Sequence, residues 1–273
     1  MSVAISLLRA SHPEPAVAVT AVAALLSVGL DRPVPGVVAT AATVLASQLA
    51  IGWTNDAIDA PRDALVGRTD KPVAAGILDR RLVACLGAIA ALATVPLGFL
   101  SGWPAGLVAT LALASALLYD WPLKSTPASV LPYTVSFAAL PAFVVLGAGK
   151  TPPLWLLAAG GLLGAGAHFV NTLPDLDDDV RTGVRGLPHL LGRRGSLAAA
   201  AVLLLAATTA LAFGPPGPPP PLFWPTLAAA LVALGCGWIA MRRNPSSRLP
   251  FLSVIAVALI DVVFLLVSGL NLD

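Results

Sequence analysis

The sequence predicts an all-α integral membrane protein, and three observations carry that expectation. Apolar residues make up 57% of the chain and charged residues only 11%, with a mean hydropathy of +0.87. Soluble domains carry about 25% charged residues. The apolar content also arrives in blocks of the ~20 residues that a helix needs to cross a bilayer. Finally, the basic residues gather on one side of those blocks, as set out below. The two cysteines, Cys85 and Cys236, each lie inside an apolar block, so no disulfide framework is expected. The opening MSVAISLLRASHPEP lacks the basic start and small-residue cleavage site of a signal peptide.

Apolar stretches bounded by charge, Pro or Gly fall at 13–30, 35–54, 81–100, 103–119, 127–148, 152–173, 195–213, 222–241 and 250–270, giving nine expected transmembrane helices in one domain over 1–273. Only the turn Ser101-Gly102-Trp103-Pro104 separates the third from the fourth. Small residues pervade the spans, which suits close helix packing in lipid. Pro96, Pro132 and Pro141 lie inside spans, where neighbouring helices can re-satisfy the backbone.

Orientation follows from the excess of Lys and Arg in cytoplasmic loops. With the N-terminus cytoplasmic, 14 of the 16 basic residues fall on that side and only Arg32 and Lys150 fall outside. The expectation is a multi-pass cell-membrane protein with its working face towards the cytoplasm and no nucleic-acid partner. The outside loops offer little chemistry, and GPPGPPPP at 214–221 reads as a stiff connector.

Both acidic clusters land on the cytoplasmic side, after the second and sixth spans. Asn55, Asp59 and Asp63 lie at about 0°, 40° and 80° around a helix, with Asp56 near 100°. Like charges so placed repel, and a bound cation would make the arrangement favourable. Pro61 is expected to kink or end this helix, which leaves Asp63 in a supporting position. The second cluster is Asn171-Thr-Leu-Pro-Asp175-Leu-Asp177-Asp178-Asp179, in which Asp175 and Asp179 share a face. Single acids after a span are ordinarily solvated helix ends; two clusters with facial spacing on one side point to metal. Oxygen-only ligands suit Mg²⁺, completed by substrate phosphates and water.

Cations follow the clusters. Arg68 and Lys71 lie in GRTDKPVAAG (67–76), Tyr119-Asp-Trp-Pro122-Leu-Lys124 follows the fourth span, and GLPHLLG follows the second cluster. Arg68, Lys71 and Lys124 are expected to hold phosphate oxygens, whereas Arg80, Arg81, Arg193, Arg194, Arg242 and Arg243 read as anchors at helix ends. Asp261, mid-way along the last span, reads either as a group near the substrate or as a hydrogen-bonded structural acid. His168 reads as a helix–helix bond or an acceptor base, and Asn171 extends the second acidic face inward.

These residues resemble the UbiA superfamily of intramembrane prenyltransferases over essentially the whole chain. The match rests on NDxxDxxxD (Asn55, Asp56, Asp59, Asp63), the second DxxxD (Asp175, Asp179) and a YxxxxK-like element (Tyr119, Lys124). KPVAAG resembles the family's RPLPSG loop and GLPHLLG its TLPxLLG stretch. The resemblance implies helices around a central cavity that takes an isoprenyl diphosphate, with Mg²⁺ held between the motifs. Ionisation would give an allylic cation, attacked by an aromatic or lipid-like hydrophobic acceptor. Carried over, Asn55, Asp56, Asp59, Asp63, Asp175 and Asp179 would bind metal, and Lys124, Lys71 and Arg68 diphosphate. Tyr119, Asn171 and Asp261 would line the substrate site. The chain departs from common members in its DLDDD second motif and in Ala60, where a basic residue is usual, with Arg62 nearby instead. A cyclase of the same architecture, acting without an acceptor, is the alternative. A cation-coupled transporter would instead need acids at the midplane, where only Asp261 lies.

Overall fold

The computed structural model describes residues 2–244, 247–269 and 272, and every regular element among them is helical. In chain order these are α1 (Val3–Ala10), α2 (Pro13–Gly29), α3 (Val34–Leu65), α4 (Arg80–Phe99), α5 (Trp103–Asp120), α6 (Val130–Gly147), α7 (Leu154–Asn171), α8 (Leu176–Arg181), α9 (Leu187–Phe213), α10 (Phe223–Arg243) and α11 (Leu249–Ser268). Residues 123–129 form two 3₁₀ turns between α5 and α6. The expected end of the last span, at 270, lies outside the described residues.

Eight helices, α3 to α7 and α9 to α11, are long and apolar enough to cross a membrane; α1 and α2 reach that standard only as one span bent by 66°. The packing fits a lipid solvent. Small side chains such as Ala23, Ala50, Ala105, Ala207 and Ala230 are fully buried, while Ile89, Leu92, Leu111, Val202 and Val232 are exposed on the outer faces. Glycines permit the closest crossings: a Cβ at Gly164 on α7 would come within 2.5 Å of the Tyr133 carbonyl on α6.

Helix α3 decides where the chemistry sits. Its 32 residues extend ~48 Å, against a hydrocarbon thickness of ~30 Å. It is thus longer than the apolar layer is thick, and its C-terminal turns, beyond the expected span, carry Asn55 to Asp63. Of the two outcomes expected at Pro61, a kink or an end, the end does not occur: α3 runs through Pro61 to Leu65. A proline in a helix removes the hydrogen bond to the carbonyl four residues earlier, here that of Ala57. Arg80, at the start of α4, supplies the missing donor, with Nε 2.7 Å from the Ala57 oxygen. Arg80 is thus more than a charged anchor.

α7 ends at Asn171, and the chain turns through Asp175 into the short α8. Arg193 holds this turn by donating to the Leu173 carbonyl at 2.8 Å. α9 breaks at Gly192, whose φ of 66° is left-handed backbone that favours glycine. The break lets residues 187–191 turn back over α8 before the long apolar part begins.

Candidate active site

The C-terminal end of α3, the loop at 67–78, the 3₁₀ turn bearing Lys124, and α8 converge at one end of the bundle. Asp59, 7% exposed, lies against two cations, Lys124 and Arg62. Asp63 pairs with Lys71 at 2.8 Å. Arg68 forks onto Asp70, with both contacts at 2.9 Å, and reaches Asp175 at 2.5 Å. That last bond ties the loop after the first acidic motif to the second motif. Asp179 faces His189 Nε2 at 3.3 Å, from the first turn of α9.

The electrostatics follow from this crowding. The Arg68 guanidinium is held strongly protonated, chiefly by its hydrogen bonds to Asp70, with Asp175 adding to them. Burial works against the Lys71 ammonium, but Asp63, Asp59 and Asp175 outweigh it and raise its pKa. Asp70 is lowered, first by Arg68. Asp179 is raised by burial and then by the like charge of Asp175. Such mutual repulsion between carboxylates is what a divalent cation relieves.

The remaining expected residues divide into two groups. Asn55 donates from Nδ2 to Asp120 Oδ1 at 3.0 Å, and Asp56 is buried with Oδ2 unpartnered. Asn171 donates to the Tyr133 hydroxyl at 2.9 Å, and Tyr119 packs edge-on against Tyr133 at 4.8 Å. Asp177 points outward, 84% exposed and paired with Arg193. Asp261 is not brought to this cluster: it is fully buried between α9 and α11 and accepts from the Thr208 hydroxyl at 2.9 Å. His168 meets the Ser129 hydroxyl at 3.0 Å, and that same oxygen accepts from the Leu187 backbone, so the histidine joins α7 to the turns before α6 and α9.

Residues in or beside the cluster that received no role from the sequence include Asp120, His189 and His12. Asp120 is 3% exposed and His189 is almost enclosed. Both lie within stretches quoted for a neighbour, Lys124 in one case and the GLPHLLG loop in the other. The usable signal for Asp120 is an acid closing an apolar helix with no basic residue beside it.

A largely apolar pocket lies among α2, α3, α4, α5 and α6. Its lining residues Ile51, Ala116 and Phe137 each stand one helical turn from Asn55, Asp120 and Tyr133. Residues four apart share a helix face, so three helices lead from the cavity to the polar cluster. From Thr43 to Asn55 the α3 wall runs ~18 Å. Most of the lining is Ala, Val, Leu, Ile and Phe, with Gln48, Ser47, Ser136 and Thr94 interspersed.

The donor set fits Mg²⁺. It is entirely oxygen, from Asn55, Asp56, Asp59, Asp63, Asp175 and Asp179. Among the described residues no three His, Cys, Asp or Glu side chains converge as a ready-made nest, and Asp59, Asp63 and Asp175 lean on cations instead. Mg²⁺ does not require such a nest, because it takes one or two carboxylates and completes its shell with substrate phosphates and water. The buried, unpartnered Oδ2 atoms of Asp56 and Asp120 are spare acceptors at that place.

Comparison with known proteins gives the family and the fold. The family described as "UbiA prenyltransferase family" matches residues 16–260. A digeranylgeranylglyceryl phosphate synthase from Pyrococcus horikoshii is 28% identical over 145 residues, 52% of each chain, so the match spans about half the length of that relative. One of the same name from Natronomonas pharaonis is 27% identical over 196 residues, 71% of this chain and 70% of that one. A solved UbiA homologue from Archaeoglobus fulgidus, bound to GPP and Mg²⁺, shares the fold with a TM-score of 0.72 over 98% of this chain and 99% of its own, at 14% identity. With the family match running through the acidic motifs and nearly all the helices, the chain belongs to the UbiA prenyltransferase family.

Proposed function

We propose that the protein transfers an isoprenyl group from its diphosphate to a lipid-like acceptor within the membrane. The observation that carries this reading is the Arg68–Asp175 bond: a cation from the loop after the first acidic motif holds the second, at the end of the bundle towards which the apolar pocket leads. Asn55, Asp56, Asp59, Asp63, Asp175 and Asp179 would hold Mg²⁺, which supplies Lewis-acid neutralisation of the diphosphate charge. Lys71, Arg68 and Lys124 contact the diphosphate oxygens, and the prenyl chain lies in the cavity with its first carbon near Tyr119, Tyr133 and Asn171. The allylic C–O bond breaks with its electron pair leaving on the diphosphate. The acceptor nucleophile then bonds to the cationic carbon and loses its proton. Apolar walls keep water from capturing the cation. Asp261 has no part in this reading, because it is not among the cavity-lining residues.

The names of the two relatives favour a lipid-like phosphate over an aromatic ring as acceptor. The same reading takes nine membrane crossings with the N-terminus and site cytoplasmic. α2 supports the ninth, since it starts at His12 beside the motifs and ends near Arg32, whose guanidinium reaches Ser101 at the far end of the bundle.

The test is purified protein incubated with isoprenyl diphosphates of graded length and Mg²⁺, crossed with prenylglyceryl phosphates and quinone precursors. Prenylated glyceryl lipid is expected, abolished by EDTA and by Asp59→Asn or Asp179→Asn. A cyclic hydrocarbon released without acceptor would establish a cyclase instead. Full turnover in both aspartate variants would remove the motifs from the site.

A further inference from the structure

His12 is the residue between α1 and α2, and its backbone is left-handed, with φ 52° and ψ 66°. A non-glycine residue at positive φ is uncommon, although His is among the side chains enriched there, and strain of this kind persists only where the surroundings enforce it. Here they do. The Ser11 carbonyl presses so closely on Gly52 that a Cβ there would lie 2.5 Å from the oxygen. Trp53 Nε1 donates to the Leu7 carbonyl at 3.0 Å, and Arg9 donates to the Asp70 carbonyl at 3.3 Å.

Gly52 lies about 60° around α3 from Asn55, in the middle of the quadrant that carries Asp59, Asp63 and Asp56. A glycine on the acidic face therefore lets the α1–α2 junction settle onto that face. The imidazole then sits in the fields of Lys71, Asp175, Asp59 and Arg68, with Nε2 buried and without a hydrogen-bond partner. Buried polar atoms are nearly always bonded, so an exception calls for an explanation. Burial, and after it Lys71, push the ring's pKa down to about 4. A neutral ring can donate to an anion without adding a further charge to a site that already has the cations Arg62, Arg68, Lys71 and Lys124.

We propose that His12 is a substrate-contacting residue whose Nε2–H donates to an oxygen of the donor's diphosphate, closing the site from the α1–α2 side. This rests on the prenyl-diphosphate reading above. The probe is inorganic pyrophosphate with Mg²⁺, followed by the rise in thermal midpoint of the detergent-solubilised protein, alongside KM for donor and acceptor. His12→Phe keeps a ring but removes the donor. It should weaken pyrophosphate binding and raise the donor KM by roughly ten- to a hundredfold, the worth of a hydrogen bond to a charged group, while the acceptor KM holds. His12→Gln, which restores an N–H at similar reach, should recover most of the loss. His12→Gly relieves the left-handed strain and keeps the test open if the phenylalanine variant does not fold; it should lose affinity as the phenylalanine variant does. Unchanged pyrophosphate affinity in His12→Phe or His12→Gly overturns the proposal. A loss confined to kcat or to the acceptor KM also overturns it, because that marks a base on the acceptor. Wild-type protein that binds no pyrophosphate overturns this proposal and the donor-site reading together.

Discussion

Asp59 is the most heavily engaged carboxylate of the site, set between Lys124 and Arg62 with little exposure. The two cations are not equivalent. Arg62 is its helix neighbour at i+3 and more exposed, whereas Lys124 comes from a separate turn and is almost enclosed. Lys124→Ala therefore leaves Asp59 with a partner and the fold intact, but removes a cation from the place where charge develops on a departing diphosphate. Turnover should fall about a hundredfold or more, the usual loss for one preorganised electrostatic donor. Product formation against a matched thermal midpoint checks this, and a threefold loss or less would exclude Lys124 from the diphosphate site. At this scale the motif residues were legible because their spacing is local. Asp120 and His12 were not, because what recruits them is contact across the fold: Asn55 reaching over from α3, and Gly52 admitting the α1–α2 junction.

Among the elements, α3 shows where reading by hydropathy stops short. Apolar content ends the expected second span at 54, and Pro61 reinforces that boundary, yet the helix continues to Leu65. Hydropathy follows the lipid-facing length, whereas the helix follows its hydrogen bonds, and the one that Pro61 forfeits is restored by Arg80 on α4. Positive-inside reasoning accounts for why an arginine sits there but not for the carbonyl it serves. Arg80→Ala should thus leave the Ala57 oxygen without its partner and lower stability by about 1–3 kcal/mol. In a Pro61→Ala background the residue-61 N–H can reach Ala57 itself, and Arg80→Ala should then cost much less. Thermal midpoints of the two single variants and the double variant form the cycle that measures this coupling. Additive losses would show that Arg80 acts only as a surface charge.

For the molecule as a whole, one asymmetry is legible in the sequence and continued in the structure: the basic loops and both acidic motifs share an end of the bundle, and the other end is nearly neutral. The count of crossings was less legible, because α2 is only 17 residues long and its role depends on what its two ends touch. His12 lies among the motif charges, while the guanidinium of Arg32 bonds Thr40 at 2.5 Å and Ser101 at 3.4 Å, on the connection between α4 and α5. At ~1.5 Å per residue, α2 covers ~25 Å, close to the thickness of a bilayer's hydrocarbon core. The proposed nine crossings with a cytoplasmic N-terminus would put the loop at 214–221 outside and Asp177 inside. In a Cys85→Ser, Cys236→Ser background, Pro218→Cys should react with a membrane-impermeant thiol reagent on intact cells. Asp177→Cys, at an exposed position, should react only after permeabilisation. A cysteine at residue 2, ahead of α1, should behave like the one at 177. Labelling of residue 2 from outside, with 218 also outside, would remove α2 from the set of spans; labelling of 177 from outside would invert the orientation and put the diphosphate site on the wrong face for a cytoplasmic donor.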